Sequence, residues 1–226
     1  MSLHCFAHSA RAAGLFDGWR AGLGPGVRPV AAPVPAPGAL SRDTLLARAM
    51  EPFTVPGPGP YVLYGHGLGA LIAYTVVRAL HEAGLPGPAL LAVGACPPPT
   101  DPARLPRAGQ PPRPHDDRPA VPPGSDEGVL LRAALPVLRA EHELARALHE
   151  AARRPARAPL PATPLLLIAP RAADTDGWRR WTTGPVHTRT LPADEFVRRG
   201  AAALPRLLGR ACRVAGRLDP QPAPVG

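Results

Sequence analysis

Residues 65–70 read Gly-His-Gly-Leu-Gly-Ala and stand between an apolar run and a long apolar-periodic segment. The run Tyr-Val-Leu-Tyr at 61–64 has the length and character of a buried strand. Residues 68–83 carry a helical period. A strand that passes into a helix through so few residues needs a tight turn, and glycine at Gly67 tolerates the positive φ of such a turn. The segment thus predicts strand, sharp turn and helix in immediate succession. Residues 3–6, 27–34, 89–94, 164–169 and 186–191 read as further strands. Between them lie a small-residue loop at 7–14, a short helix at 15–21, and a helix to about residue 50 that Ser41 can cap. A longer helical pattern covers 129–150, with Pro136 as a kink or boundary, and another covers 196–218, interrupted at Pro205. Strands alternating with helices predict an α/β chain with a mostly parallel sheet and helices on both faces.

The 226 residues fit one domain, placed at 1–218, and 45% hydrophobic content supplies a sizeable core. With only 4% aromatic residues, Leu, Val and Ala must fill it. No apolar run approaches the roughly 18–20 residues of a membrane span. The first residues carry no basic segment followed by an apolar one, so a cytoplasmic location is expected. Cys5, Cys96 and Cys212 are odd in number and widely spaced, against a disulfide framework or a metal site. The formal charge is +9, and every basic residue of the Lys/Arg class is Arg. That charge favours acidic partners. No helix-turn-helix, zinc finger or RNA-binding aromatic motif is visible, so an acidic protein is expected rather than nucleic acid. Residues 97–128 are dominated by Pro, Asp and Arg and read as mobile, as do 219–226 at the tail.

Several segments together resemble the type II thioesterases of polyketide and nonribosomal peptide assembly lines. Leu3-His-Cys-Phe-Ala-His-Ser9 looks like that family's first strand and oxyanion loop, with Phe16-Asp-Gly-Trp19 following. Tyr64-Gly-His-Gly-Leu-Gly-Ala-Leu-Ile-Ala-Tyr74 looks like its F-G-H-S-M-G-A-x-x-A-Y, the nucleophile elbow. Leu135-Pro-Val-Leu-Arg-Ala-Glu-His142 resembles its lid helix, and Trp181-Thr-Thr-Gly-Pro185 a segment before its last strand. The resemblance implies an α/β-hydrolase fold, here with a shortened helical lid inserted at 97–160. It implies no cofactor or metal. It also implies partners in acyl- or peptidyl-carrier proteins, whose phosphopantetheine arms the family relieves of acyl groups with Ser, Asp and His.

Carried over residue by residue, that triad fails. The serine falls on Gly67 and the histidine on Glu195. The aspartate falls on Ala173 or, with a one-residue shift, on Asp174. Gly supplies no hydroxyl, and Glu cannot relay a proton between two ring nitrogens. Losing a triad member costs on the order of 10⁴ to 10⁶ in turnover. What remains is a set of candidates. The backbone N–H groups of Leu68 and Ser9 match the oxyanion hole. His66 is either a structural, hydrogen-bonded side chain or a pocket acid–base group. Glu195 is either a carboxylate at a helix start or a general base. Asp174 has the same two readings, and His8 reads as a pocket wall. Arg206, Arg210, Arg213 and Arg217, with Arg199 before them, form a basic stripe that is either solvated or a carrier-docking face.

Three functions follow as expectations. The first is engagement of acyl or aminoacyl intermediates, or of their carrier proteins, without hydrolysis. The second is acid–base chemistry (cyclisation, elimination or isomerisation) by His66, Glu195 or Asp174. The third is slow thioester hydrolysis by water activated at Glu195.

Overall fold

A computed structural model describes residues 1–32, 42–53, 59–99, 126–154, 160–171 and 177–218. The elements in chain order are β1 (Ser2–Phe6), α1 (Ala10–Ala13), α2 (Trp19–Leu23), β2 (Arg28–Ala31), α3 (Arg42–Met50) and β3 (Tyr61–His66). Then come α4 (Gly69–Glu82), β4 (Leu90–Gly94), α5 (Asp126–Arg153), β5 (Leu165–Ala169), β6 (Val186–Thr190) and α6 (Ala203–Leu218). The strands form one sheet in the order β2-β1-β3-β4-β5-β6, and each neighbouring pair is parallel. This is the parallel α/β sheet expected from the alternation of strands and helices, in the α/β-hydrolase-like architecture that the resemblance implies.

Two cores follow from the pleat. On one face α3, α4 and α5 pack on Leu63, Leu91, Val93, Leu165 and Leu167. On the other, α2 and α6 pack on Leu3, Cys5, Val62, Tyr64, Ala92, Leu166 and Ile168. Strands β4 and β5 are buried at every position, which is why Leu-Leu-Ala-Val-Gly and Leu-Leu-Leu-Ile-Ala are unbroken apolar runs. All three cysteines are buried and free.

The structure moves several expected boundaries. β3 runs two residues further than its apolar run, through Gly65 and His66, because these pair with Phe6 and Gly94 in the ladders on either side. The loop at 7–14 holds the helical turn α1, whose N-cap is Ser9. The expected helix at 15–21 divides into a 3₁₀ turn, Gly14–Phe16, and α2. α5 continues through Pro136 as one helix, so the proline is not a boundary. Pro205 does not interrupt α6 but lies in its first turn, where a missing N–H costs no helical bond. The segment before it is a separate 3₁₀ turn, Ala193–Phe196. Ser41, most of the Pro-rich half of the lid and the tail lie outside the described residues. Among the described residues no helix is long and apolar enough to cross a membrane.

Candidate functional site

The turn at Gly67 joins the end of β3 to the start of α4, and its three glycines have different reasons to be there. A Cβ at Gly65 would collide with the backbone of Ala70, and one at Gly69 with the Phe6 carbonyl and Ala7 Cα. These two are required by close packing of strand, helix and the loop after β1. Gly67 has φ +51°, yet a Cβ there would meet nothing within 4 Å. The outer glycines therefore hold an elbow whose central side chain would point into open space. Hydrogen bonds from Gly67 N–H to the Gly94 carbonyl (2.8 Å) and from Ala70 N–H to the Gly67 carbonyl (2.9 Å) fix the turn. The elbow sits at the carboxyl ends of parallel strands, where ligands of open α/β sheets bind.

Leu68 is the N-cap residue of α4; Ala70 and Leu71 N–H turn back to the Gly67 and Leu68 carbonyls at 2.9 and 3.1 Å, and Leu68 N–H, the expected oxyanion-hole donor, stands outside these bonds. The contact of Gly69 with Phe6 and Ala7 brings the loop carrying His8 and Ser9 beside that start. The Ser9 hydroxyl accepts from Ala12 N–H at 3.3 Å and caps α1, so Ser9 serves this loop as a cap.

His66 is the last residue of β3. Its Nδ1 lies 3.1 Å from the Tyr64 hydroxyl, and its ring stacks on Phe196 at a centroid distance of 6.3 Å. Burial, with a smaller contribution from His8, lowers its pKa to about 4. The fully buried Tyr64 hydroxyl has its pKa raised well above the usual value by burial and keeps its proton. The hydrogen bond between the Tyr64 hydroxyl and Nδ1 fixes the orientation of the ring. His66 is thus a neutral imidazole near pH 7, a hydrogen-bonding group and a weak base.

Glu195 lies in the 3₁₀ turn after β6, next to the Phe196 that touches His66. Its Oε2 accepts from Ala203 N–H at 2.8 Å and from Leu204 N–H at 3.1 Å, and Oε1 stands 3.9 Å from Arg198. The carboxylate caps the start of α6 and neutralises the positive end of that helix. Asp174 and Ala173 lie outside the described residues. Arg206, Arg210, Arg213 and Arg217 all lie on the exposed face of α6. Arg213 is partly committed there, donating to the Leu23 carbonyl at the end of α2 at 3.0 Å.

Three features of the site escaped the sequence. The Tyr64–His66 pair was available from period-two spacing, which puts residues i and i+2 of a strand on one face. The Phe196 stack joins residues 130 positions apart and had no local signal. Ala95, just after β4, takes a left-handed φ of +49°, and Trp178 Nε1 donates to the Cys96 carbonyl beside it at 3.0 Å. What the described arrangement offers is N–H donors at a helix start, a neutral imidazole and an empty side-chain position.

A family model described as Thioesterase domain matches residues 2–212. Among solved structures, the chain is similar to ClbQ from the colibactin NRPS/PKS pathway, with 19% identity, 96% of this chain and 99% of that chain covered, and a TM-score of 0.64. It is similar to the RedJ thioesterase from the prodiginine biosynthetic pathway in Streptomyces coelicolor, with 26% identity, coverage of 93% and 88%, and a TM-score of 0.61. For BorB, the type II thioesterase from the borrelidin biosynthetic cluster, the values are 21%, 96% and 88%, and 0.55. Among curated proteins nothing matches the chain. With the elbow, the parallel sheet and a family match across nearly its whole length, this chain belongs to the thioesterase domain family.

Proposed function

We propose that this chain acts in polyketide or nonribosomal peptide assembly by engaging acyl or aminoacyl intermediates, or the carrier proteins that hold them, without serine-triad hydrolysis. The observation that carries this reading is Gly67 in an intact elbow whose outer glycines are packed and whose central side-chain position is empty. Similarity to thioesterases of such pathways supports the setting. A net charge of +9 suits an acidic carrier. The acid–base alternative is weakened by the commitments of two of its three residues, His66 and Glu195. Glu195 caps α6, and His66, its pKa lowered to about 4 by burial, is a weak base at neutral pH. Slow hydrolysis by water at Glu195 would need that same capping carboxylate.

The test is incubation of the protein with an acyl-phosphopantetheinyl carrier protein, followed by intact-mass measurement of the carrier and a parallel binding titration. Saturable binding with the thioester intact is the expected result. Release of the acid faster than in buffer, or a cargo of altered structure, would overturn the reading.

A further inference from the structure

A concavity lies away from the elbow, at the other end of the sheet and along its β6 edge. It is a groove of about 830 Å³, bounded by α6, by the end of α4, by the amino-terminal halves of β4 and β5 with the turns leading into β5 and β6, and by His187 and Arg189 of the edge strand β6, three strands from β3. The elbow belongs to the carboxyl ends of the strands. From Leu90 in the groove to Gly94 beside Gly67 is four residues of strand, about 13 Å at ~3.3 Å per residue.

The lining has two characters. Leu90, Leu166, Leu207, Ala211 and Val214 make an apolar wall. Two of the three exposed large hydrophobic residues among those described, Val214 at 55% and Leu218 at 78%, stand at this groove. Among the described residues, every charged or titratable group lining it is basic: Arg189, Arg210, His81 and His187. Arg210 stands one helical turn before Val214 on α6, so a guanidinium and the apolar lip are neighbours. Arg189 donates from Nη1 to the Thr188 carbonyl at 2.7 Å, which leaves the other donors of its fork.

We propose that this groove binds an amphipathic anion, an elongated apolar body with a carboxylate head. The volume falls within the range of small-molecule sites, about 300–1,000 Å³. A purely apolar ligand would leave the guanidinium groups unmatched, and a small polar anion would leave Val214 and Leu218 in water. A carboxylate on an alkyl chain satisfies both, since guanidinium recognises it through paired N–H donors. The site is separate from the elbow and does not rest on the function proposed for it.

Sodium dodecanoate is the probe, with neutral 1-dodecanol as its control, read by methyl NMR on the full chain. Dodecanoate should shift the methyl resonances of Leu207 and Val214 saturably, while Leu68 reports separately on the elbow. Dodecanol should bind the groove at least about ten-fold more weakly. Val214→Glu and Arg210→Glu alter exposed positions and so preserve the fold, which their spectra check. Each should weaken dodecanoate binding by about ten-fold or more. Shifts confined to Leu68, equal affinity for the alcohol, or undiminished affinity in Arg210→Glu would each overturn the proposal. So would a groove occluded by a second copy, seen as a sedimenting dimer that takes up no probe.

Discussion

Gly67 and Gly69 are two residues apart and differ in what they tolerate. Adding a methyl at Gly67 meets no neighbour, so Gly67→Ala bears only the left-handed backbone cost, about 1 kcal/mol. Gly69→Ala drives a methyl into the Phe6 carbonyl and should cost about 3 kcal/mol or more. Urea unfolding of the two variants separates them; equal losses would mean that the elbow is not packed as described. Gly67→Ser is expected to fold and still not hydrolyse thioesters quickly, because a new hydroxyl would lack a triad histidine to activate it. Glu195 is judged by its partners. Its side chain is 11% exposed and holds two N–H donors, so Glu195→Ala should destabilise the protein by about 1–3 kcal/mol. Hydrogen exchange in the first turn of α6 should accelerate. Unchanged stability would show that the cap is dispensable and return the carboxylate to candidacy as a base.

At the scale of elements, one buried arginine ties the elbow helix α4 to α5. Arg78 on α4 is 7% exposed, donates from Nη1 to the Ala152 carbonyl at 2.7 Å, and pairs with Glu82 at 3.2 Å. Ala152 is in the last turn of α5, where carbonyls lack intrahelical donors. Arg78→Met keeps the apolar stem and removes the donors. It should cost about 2–3 kcal/mol and raise amide exchange at the end of α5. An exchange profile identical to wild type would contradict this anchor. The same scale explains where the expected boundaries failed. Strand β3 absorbs Gly65 and His66 because partners on both sides supply a ladder that outweighs glycine's poor strand propensity. Pro205 fits α6 because its place in the first turn needs no donor.

For the whole molecule, charge and buried histidines set the response to acid. His66 has its pKa lowered to about 4 in the fold against 6.5 for the free group. Above pH 6.5 neither state binds this proton and the native state keeps its full advantage. Between 6.5 and about 4 the unfolded chain takes the proton and the native state does not, so stability falls as pH falls. The loss from His66 approaches about 3 kcal/mol near pH 4. His4 and His149, also lowered by burial, act with the same sign, and growing positive charge adds repulsion. Unfolding free energy measured from pH 7 to 4.5 should decline, and His66→Gln should flatten part of the slope; an unaltered slope would remove His66 from the account. By itself the sequence determined the alternation of strands and helices, the turn at 65–69 and the glycine, Gly67, at its centre. Periodicity is local, and no fold can give Gly67 a side chain. Only the tertiary structure decided that Glu195 caps α6, that Phe196 stacks on His66, and that α6 borders a basic, apolar groove. The direction of a carboxylate and the walls of a cavity depend on contacts between residues distant in sequence, which no local pattern records.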